Sequence, residues 1–202
     1  ESGGVNKSSL GRGKFTLLQS RVGDPDSLSD NIVRAIFEDH EGIIWIGTSK
    51  GLDGFDRATG LFTHYRHDSE DASSLSDDFV LSIYEDSRGT LWVGTLHGGV
   101  NKFDRQTGGF SHYRHNFRDP LSISDDTIRV IFEDSQGILC FGTNHGLNRF
   151  DRNSEIFNSY LYFKDLGRRT VRSIIEDQDG VLWVGADDGL FEYDRQSDHF
   201  LA

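Results

Sequence analysis

The sequence predicts an all-β chain made of small four-stranded sheets set side by side, and three observations carry that prediction. The stretch EDHEGIIWIGTSKGL, Glu38 to Leu52, returns as EDSRGTLWVGTLHGGV from Glu85, as EDSQGILCFGTNHGL from Glu133 and as EDQDGVLWVGADDGL from Glu176. The leading glutamates are 47, 48 and 43 residues apart, a period that marks a repeat architecture. Each unit holds four short runs rich in Ile, Val, Phe, Tyr and Trp, divided by Gly, Asp and Ser clusters, which is the pattern of strands and hairpins. No helical periodicity longer than a turn interrupts them, which excludes the helical solenoids of similar period. Four strands in roughly 40 to 50 residues make one blade of a β-propeller.

In the first whole unit the strands are A (Ile32 to Glu38), B (Ile43 to Thr48), C (Leu52 to Asp56) and D (Phe62 to His67). A turn D-x-x-G joins A to B at Asp39 and Gly42, Asp86 and Gly89, Asp134 and Gly137, and Asp177 and Gly180. An Asp side chain accepts nearby backbone N–H groups and Gly supplies positive φ, so turn chemistry accounts for these four aspartates without a catalytic role. The Asp-Arg pairs after strand C (Asp56-Arg57, Asp104-Arg105, Asp151-Arg152, Asp194-Arg195) are read the same way. One place in strand B holds Trp45, Trp92, Cys140 and Trp183. A large aromatic there fills the wedge against the next blade, so the boundary at Cys140 is expected to be less well filled. The lone thiol reads as a small buried hydrophobe.

GGVNKSSLGRGKFTLLQSRVGDPDSLSD from Gly3 aligns with GGVNKFDRQTGGFSHYRHNFRDPLSISD from Gly98. Residues 1–28 are therefore the C and D half of a blade, followed by blades at 29–75, 76–123, 124–166 and 167–202, the last with a truncated final strand. About four and a half blades result. Because the two ends do not complement each other, the expectation is a piece of a larger propeller, closed by the rest of that propeller or by another copy of the chain.

Hydrophobic residues make up 35% and aromatics 12%, with only two prolines, a composition of short strands around an aromatic core rather than of disorder. A net charge of -12 without a basic stripe excludes a nucleic-acid partner. No apolar run is long enough to cross a membrane, so any membrane contact is expected through segments outside this chain. One cysteine excludes a disulfide framework within it.

Alternation of antiparallel strands puts the A–B and C–D turns on one end of every blade and the B–C and D–A connections on the other. The first end is nearly uniform, whereas the second varies from blade to blade, as a recognition surface on a regular scaffold does. Its B–C turns read Ser49-Lys50, Leu96-His97, Asn144-His145 and Asp187-Asp188. Arg34, Arg129 and Arg172 stand at one position of strand A, with Leu81 in the second blade. If they point into the central channel, three guanidiniums converge on a carboxylate, sulfate or uronic acid; otherwise each pairs with a local carboxylate. The candidate ligand-binding set is thus Arg34, Arg129, Arg172, Lys50, His97, His145 and Asp188. His64-x-x-His67 and His112-x-x-His115 do not suit a metal, since residues three apart on a strand face opposite sides, and they read as exposed or edge histidines. No catalytic motif, metal site or cofactor site is visible.

Aligned, the units read V/I-x-x-I-x-E-D-x-x-G-x-I/L-W-I/V-G-T-x-x-G-L/V followed by F/Y-D-R, with Cys140 and Ala186 as departures. This resembles the two-component regulator propeller repeat over practically the whole chain. The resemblance implies seven-bladed propellers forming the periplasmic or extracellular sensor portion of bacterial hybrid histidine kinases and related signalling proteins, often responding to carbohydrate degradation products. It implies no catalytic residues. A non-enzymatic ligand-sensing module for a carbohydrate or other polar small molecule follows as the expectation. The alternatives are a docking or dimerisation scaffold and, last, a propeller polysaccharide lyase or glycosidase.

Overall fold

The computed structural model describes residues 5–8, 15–160, 169–195 and 197–201. β1 (Val5–Ser8) and β2 (Phe15–Leu18) form a two-stranded hairpin. Four antiparallel four-stranded sheets follow. The first comprises β3 (Val33–Glu38), β4 (Ile43–Thr48), β5 (Gly51–Asp56) and β6 (Phe62–Tyr65). The second comprises β7 (Val80–Glu85), β8 (Leu91–Thr95), β9 (Val100–Asp104) and β10 (Gly109–Tyr113). The third comprises β11 (Ile128–Glu133), β12 (Leu139–Thr143), β13 (Gly146–Asp151) and β14 (Ile156–Tyr160). The fourth comprises β15 (Val171–Glu176), β16 (Leu182–Ala186), β17 (Gly189–Asp194) and β18 (His199–Leu201). Each sheet is a meander in chain order, and the A strands β3, β7, β11 and β15 adjoin one another. The chain is an all-β row of propeller blades, four of them preceded by a half blade.

Strand D of the first blade is shorter than the expected run to His67, and a competing bond explains why. The His67 amide donates to Asp78 Oδ1 at 2.7 Å and its Nδ1 lies 2.9 Å from the Leu75 carbonyl, so the chain has left the ladder to pin the next loop. His115 does the same with Asp126 and Ile123.

Blade-to-blade packing rests on a glycine in strand B. A Cβ at Gly47 would stand 2.6 Å from Val80, at Gly94 2.7 Å from Ile128, and at Gly142 2.6 Å from Val171. Only hydrogen there lets the first β-branched residue of the next blade seat against the sheet. Aromatic rings fill the rest of the wedge. Trp45 meets Phe103 edge-on at 5.2 Å, and Trp92 meets Phe150 at 5.3 Å and Phe141 at 5.7 Å. These are favourable tilted contacts between buried rings.

The turn aspartates do what turn chemistry requires and also fix the indoles. Asp39 Oδ1 accepts the Ile43 amide at 2.9 Å and the Glu41 amide at 3.0 Å, while Oδ2 accepts Trp45 Nε1 at 2.8 Å. Asp86 and Asp177 hold Trp92 and Trp183 in the same way. The turns close through Gly42, Gly89, Gly137 and Gly180, at φ 82°, 77°, 75° and 78°. Burial opposes charge on Asp39, but its bonds to Trp45, Ile43 and Arg105 outweigh that and hold the carboxyl below its ordinary range.

The Asp-Arg pairs divide between two tasks. Asp56, Asp104 and Asp151 do cap their turns, each accepting an amide at 2.8 Å. Three of the arginines, however, leave the turn and cross to the preceding blade. Arg105 bridges Asp39 at 3.0 Å and Glu85 at 2.7 Å. Arg152 bridges Asp86 at 3.2 Å and Glu133 at 2.7 Å, and Arg195 bridges Asp134 at 2.8 Å and Glu176 at 2.7 Å. Arg57 pairs with Glu38 of its own blade.

The turn glycines supply the positive φ expected of them, and three of them also accept a hydrogen bond through their carbonyls. On the way across, Arg105 Nε donates to the Gly89 carbonyl at 3.4 Å, Arg152 to the Gly137 carbonyl at 3.0 Å and Arg195 Nε to the Gly180 carbonyl at 3.2 Å. Gly89, Gly137 and Gly180 thus steady the guanidiniums that join neighbouring blades, a role that depends on their backbone oxygen and leaves no trace in the D-x-x-G pattern.

The boundary at Cys140 departs from the expectation of poor filling. Cys140 is fully buried among Leu147, Val171, Ile174 and Val184. Opposite it in the ladder stands Arg149, whose guanidinium lies over Tyr160 and Tyr193 and bonds both hydroxyls, at 3.1 and 2.7 Å. The equivalents of Arg149 are Gly54, Lys102 and Glu192, and the equivalents of Tyr193 are Phe55, Phe103 and Phe150. A longer cation and an added hydroxyl occupy the wedge that an indole fills elsewhere.

Candidate functional site

The site lies where the A strands meet, and a backbone irregularity builds it. In every blade the A–B ladder skips one residue of strand A: Val33 pairs with Thr48 but Ala35 with Gly47, and likewise between Val80 and Ser82, Ile128 and Val130, and Val171 and Ser173. The residues left out of the ladder are Arg34, Leu81, Arg129 and Arg172. A β-bulge of this kind re-aims the side chain it carries. Those four side chains line one cavity of about 200 Å³, so the structure brings together the three arginines singled out by sequence. The bulge itself went unforeseen; its only trace in the sequence is the fixed offset from the strand-B glycine.

The B–C turns sort the four residues. Arg129 Nε donates to Asn144 Oδ1 at 2.6 Å, and Arg172 Nε donates to Asp187 Oδ1 at 2.5 Å. That bond to Arg172 holds the Asp187 carboxyl below its ordinary range. Leu81 faces a blade whose turn carries Leu96 in place of Asn or Asp. Arg34 lies 5.1 Å over the Phe79 ring, and the hydroxyl of its own turn residue, Ser49, is buried without a partner among the described residues. Two guanidiniums are thus anchored through Nε, which leaves the paired terminal nitrogens, the edge suited to a planar anion, without a hydrogen-bond partner among the described residues. The third rests on an aromatic face.

The other candidate residues are not part of this cavity. Lys50 Nζ lies 3.5 Å from Asp30, His145 Nδ1 lies 3.1 Å from Asp125, and Asp188 pairs with Arg169. His97 is exposed, its amide held by Asp77 and its carbonyl by Arg114. All four sit on the same end of the blades, around the cavity rather than in it.

His64 and His112 stand on the edge strands β6 and β10, as expected, but each is engaged by hydrogen bonds. His112 Nε2 lies 2.7 Å from the Ser74 carbonyl. His64 is half-buried, with Nδ1 2.6 Å from Asp53 and Nε2 2.7 Å from the Pro25 carbonyl. Ser29, His64 and Asp53 have the residue types of a hydrolytic triad but not its order. Ser29 Oγ lies 3.1 Å from His64 Nδ1 but donates to Asp53 at 2.6 Å, and that ring nitrogen is itself 2.6 Å from the same carboxylate, so the carboxylate rather than the imidazole takes the serine hydrogen bond. Asp53 and His64 stand on strands C and D, the two strands of the sheet furthest from strand A.

The two component regulator propeller family profile matches residues 27–50, 74–97 and 165–188. No curated protein sequence matches the chain. Among solved structures, the extracellular domain of BT4673 from B. thetaiotaomicron is 23% identical with a TM-score of 0.79, over 99% of this chain and 28% of that one. An extracellular domain described as that of a two component system, BT3049 of the same organism, is 23% identical with a TM-score of 0.65, over 91% and 31%. Virginiamycin B lyase from Staphylococcus aureus is 15% identical with a TM-score of 0.71, over 99% and 62%. The chain spans under a third of the two extracellular domains. Four copies of one strand–turn–strand motif, three of them overlapping the matches of the family profile, fold as successive antiparallel blades of one propeller.

Proposed function

We propose that this propeller is a non-enzymatic sensing module of a two component signalling protein, placed on the extracellular or periplasmic side, and that it binds an anionic polar ligand such as an acidic oligosaccharide. The observation that carries this reading is the convergence of Arg34, Arg129 and Arg172 on one cavity, two of them pre-oriented by Asn144 and Asp187. Pre-orientation removes part of the entropy cost of binding. The likeness to extracellular domains supports the location. Signalling then requires the ligand to favour one arrangement of the receptor over another by its difference in affinity.

Calorimetry on the intact receptor with uronate and neutral oligosaccharides tests this. Binding of the uronates alone, weakened at least tenfold in Arg129→Ala/Arg172→Ala, is expected from the loss of charge-assisted bonds worth about 1.5–3 kcal/mol each. Equal affinity in variant and parent removes the arginines from the reading. A docking role has one observation in its favour, the exposed Phe117 and Leu121 on the loop between the second and third blades. Loss of an oligomer in Phe117→Ser with ligand binding intact identifies that role.

A further inference from the structure

We propose that Asp53 and His64 form a proton-dependent latch, which holds the loop of residues 20–30 against the first blade and releases it when His64 loses its proton. The repeat supplies its own controls. At the place of Asp53 the next two blades carry buried Asn101 and Asn148. Asn101 accepts the Ser76 amide at 2.9 Å and donates to the Val93 carbonyl at 3.3 Å; Asn148 accepts the Ser124 amide at 3.0 Å and donates to the Phe141 carbonyl at 3.3 Å. In those two loops a neutral amide, which does not titrate, stands where the first blade has a carboxylate.

The first blade performs the same task with a carboxylate. Asp53 accepts the Ser29 amide at 2.8 Å and the Ser29 hydroxyl at 2.6 Å, and its side chain is fully buried. His64 stands between that carboxylate and the Pro25 carbonyl. Both contacts are acceptors, and an imidazole satisfies both only when it carries two protons. Removing one leaves either the buried carboxylate or the loop carbonyl facing a ring lone pair; the Ser29 hydroxyl, 3.1 Å from Nδ1, reaches that lone pair only by giving up its bond to Asp53, so the arrangement is costly either way.

Other charges around the ring do not supply this balance. Arg66 reaches toward Ser29 and opposes the imidazolium, Lys50 is engaged by Asp30, and Arg21 is engaged by Asp24 on the loop, where Asp26 also lies. Burial pushes the His64 pKa down, but Asp53 and the Pro25 carbonyl together more than offset it, so the net shift is upward. A group whose pKa is raised by folding contributes stability that is complete below its unfolded value, about 6.5. That contribution is lost as pH rises through the higher folded value. Loop 20–30 runs directly into β3 and Arg34, and Asp30 holds Lys50, so release loosens one side of the cavity. The latch itself stands whether or not that cavity takes an anion.

The test is a pH titration of the full chain labelled with 13C-histidine, with hydrogen exchange of residues 20–30 measured against strand β12 as an internal reference. His64 is expected to titrate above the ordinary histidine range, and the relative protection of 20–30 to fall over the same interval. Asp53→Asn should abolish both effects. Asp53→Asn/His64→Ser copies the Asn148 and Ser159 pair of the third blade, bonded at 2.7 Å, and should hold the loop throughout. A His64 that titrates at or below the ordinary value, a loop whose relative protection ignores pH, or an Asp53→Asn chain that keeps the pH dependence overturns the proposal.

Discussion

The boundary between the second and third blades and the boundary between the third and fourth solve one geometric problem with different materials. At the first, Trp92 fills the wedge, its indole nitrogen fixed by Asp86, and Lys102 passes above the ring to Glu155 at 3.0 Å. At the second, Cys140 leaves that volume to Arg149, which turns inward onto two tyrosines and lies 3.5 Å from Asp198. Register is preserved at both: Glu155 and Asp198 occupy the same turn position, each at φ 55°. The lesson is that a blade boundary demands volume and a satisfied Asp rather than an indole as such. At the Cys140 boundary Asp134 takes Arg195 at 2.8 Å and has no indole to hold.

Truncation separates the two solutions most sharply. Trp92→Ala should lower stability by about 3–5 kcal/mol in denaturant unfolding. Arg152→Ala, which leaves Asp86 and Glu133 buried without their cation, should cost a similar ~3–5 kcal/mol. Forcing the indole solution onto the other boundary comes next. Cys140→Trp alone should cost about 1–3 kcal/mol through overpacking against Arg149. Adding Arg149→Lys and Tyr193→Phe should recover it, with a coupling of roughly 0.5–3 kcal/mol in the corresponding mutant cycle; additive effects would mean the three substitutions do not form one unit. Arg57→Ala removes an exposed pair, with Arg57 46% and Glu38 51% accessible, and should change stability by at most about 1 kcal/mol. The smallest effect is chemical. Burial pushes the Cys140 thiol up to about 12, so a thiol reagent at pH 8 should modify it no faster than the chain unfolds; rapid labelling of the folded protein would mean the wedge is open.

The strands, their order and the turn aspartates were legible because period-2 apolar runs and D-x-x-G turns are local signals. The convergence of Arg34, Arg129 and Arg172 was legible as well, since equal register in a repeat implies equal placement. Three things were not. The inter-blade reach of Arg105, Arg152 and Arg195, steadied by the carbonyls of Gly89, Gly137 and Gly180, depends on a neighbour far away in sequence, as for Arg105 and Asp39 at a separation of 66. The filling of the Cys140 wedge depends on Arg149 and Tyr193, whose departures carry meaning only once the sheets face each other. The pairing of His64 with a buried carboxylate depends on Asp53 standing where the next two blades have Asn101 and Asn148, a one-atom difference that spacing does not reveal.

The skipped residue of each A strand has a consequence for how the lining of this cavity can change over evolutionary time. Because that residue lies outside the A–B ladder, exchanging it perturbs no rung of the sheet and removes no wedge contact. Arg, Leu, Arg and Arg already occupy the four equivalent sockets. The lining can therefore be rewritten one socket at a time, cation for aliphatic, while the scaffold that presents it keeps its stability.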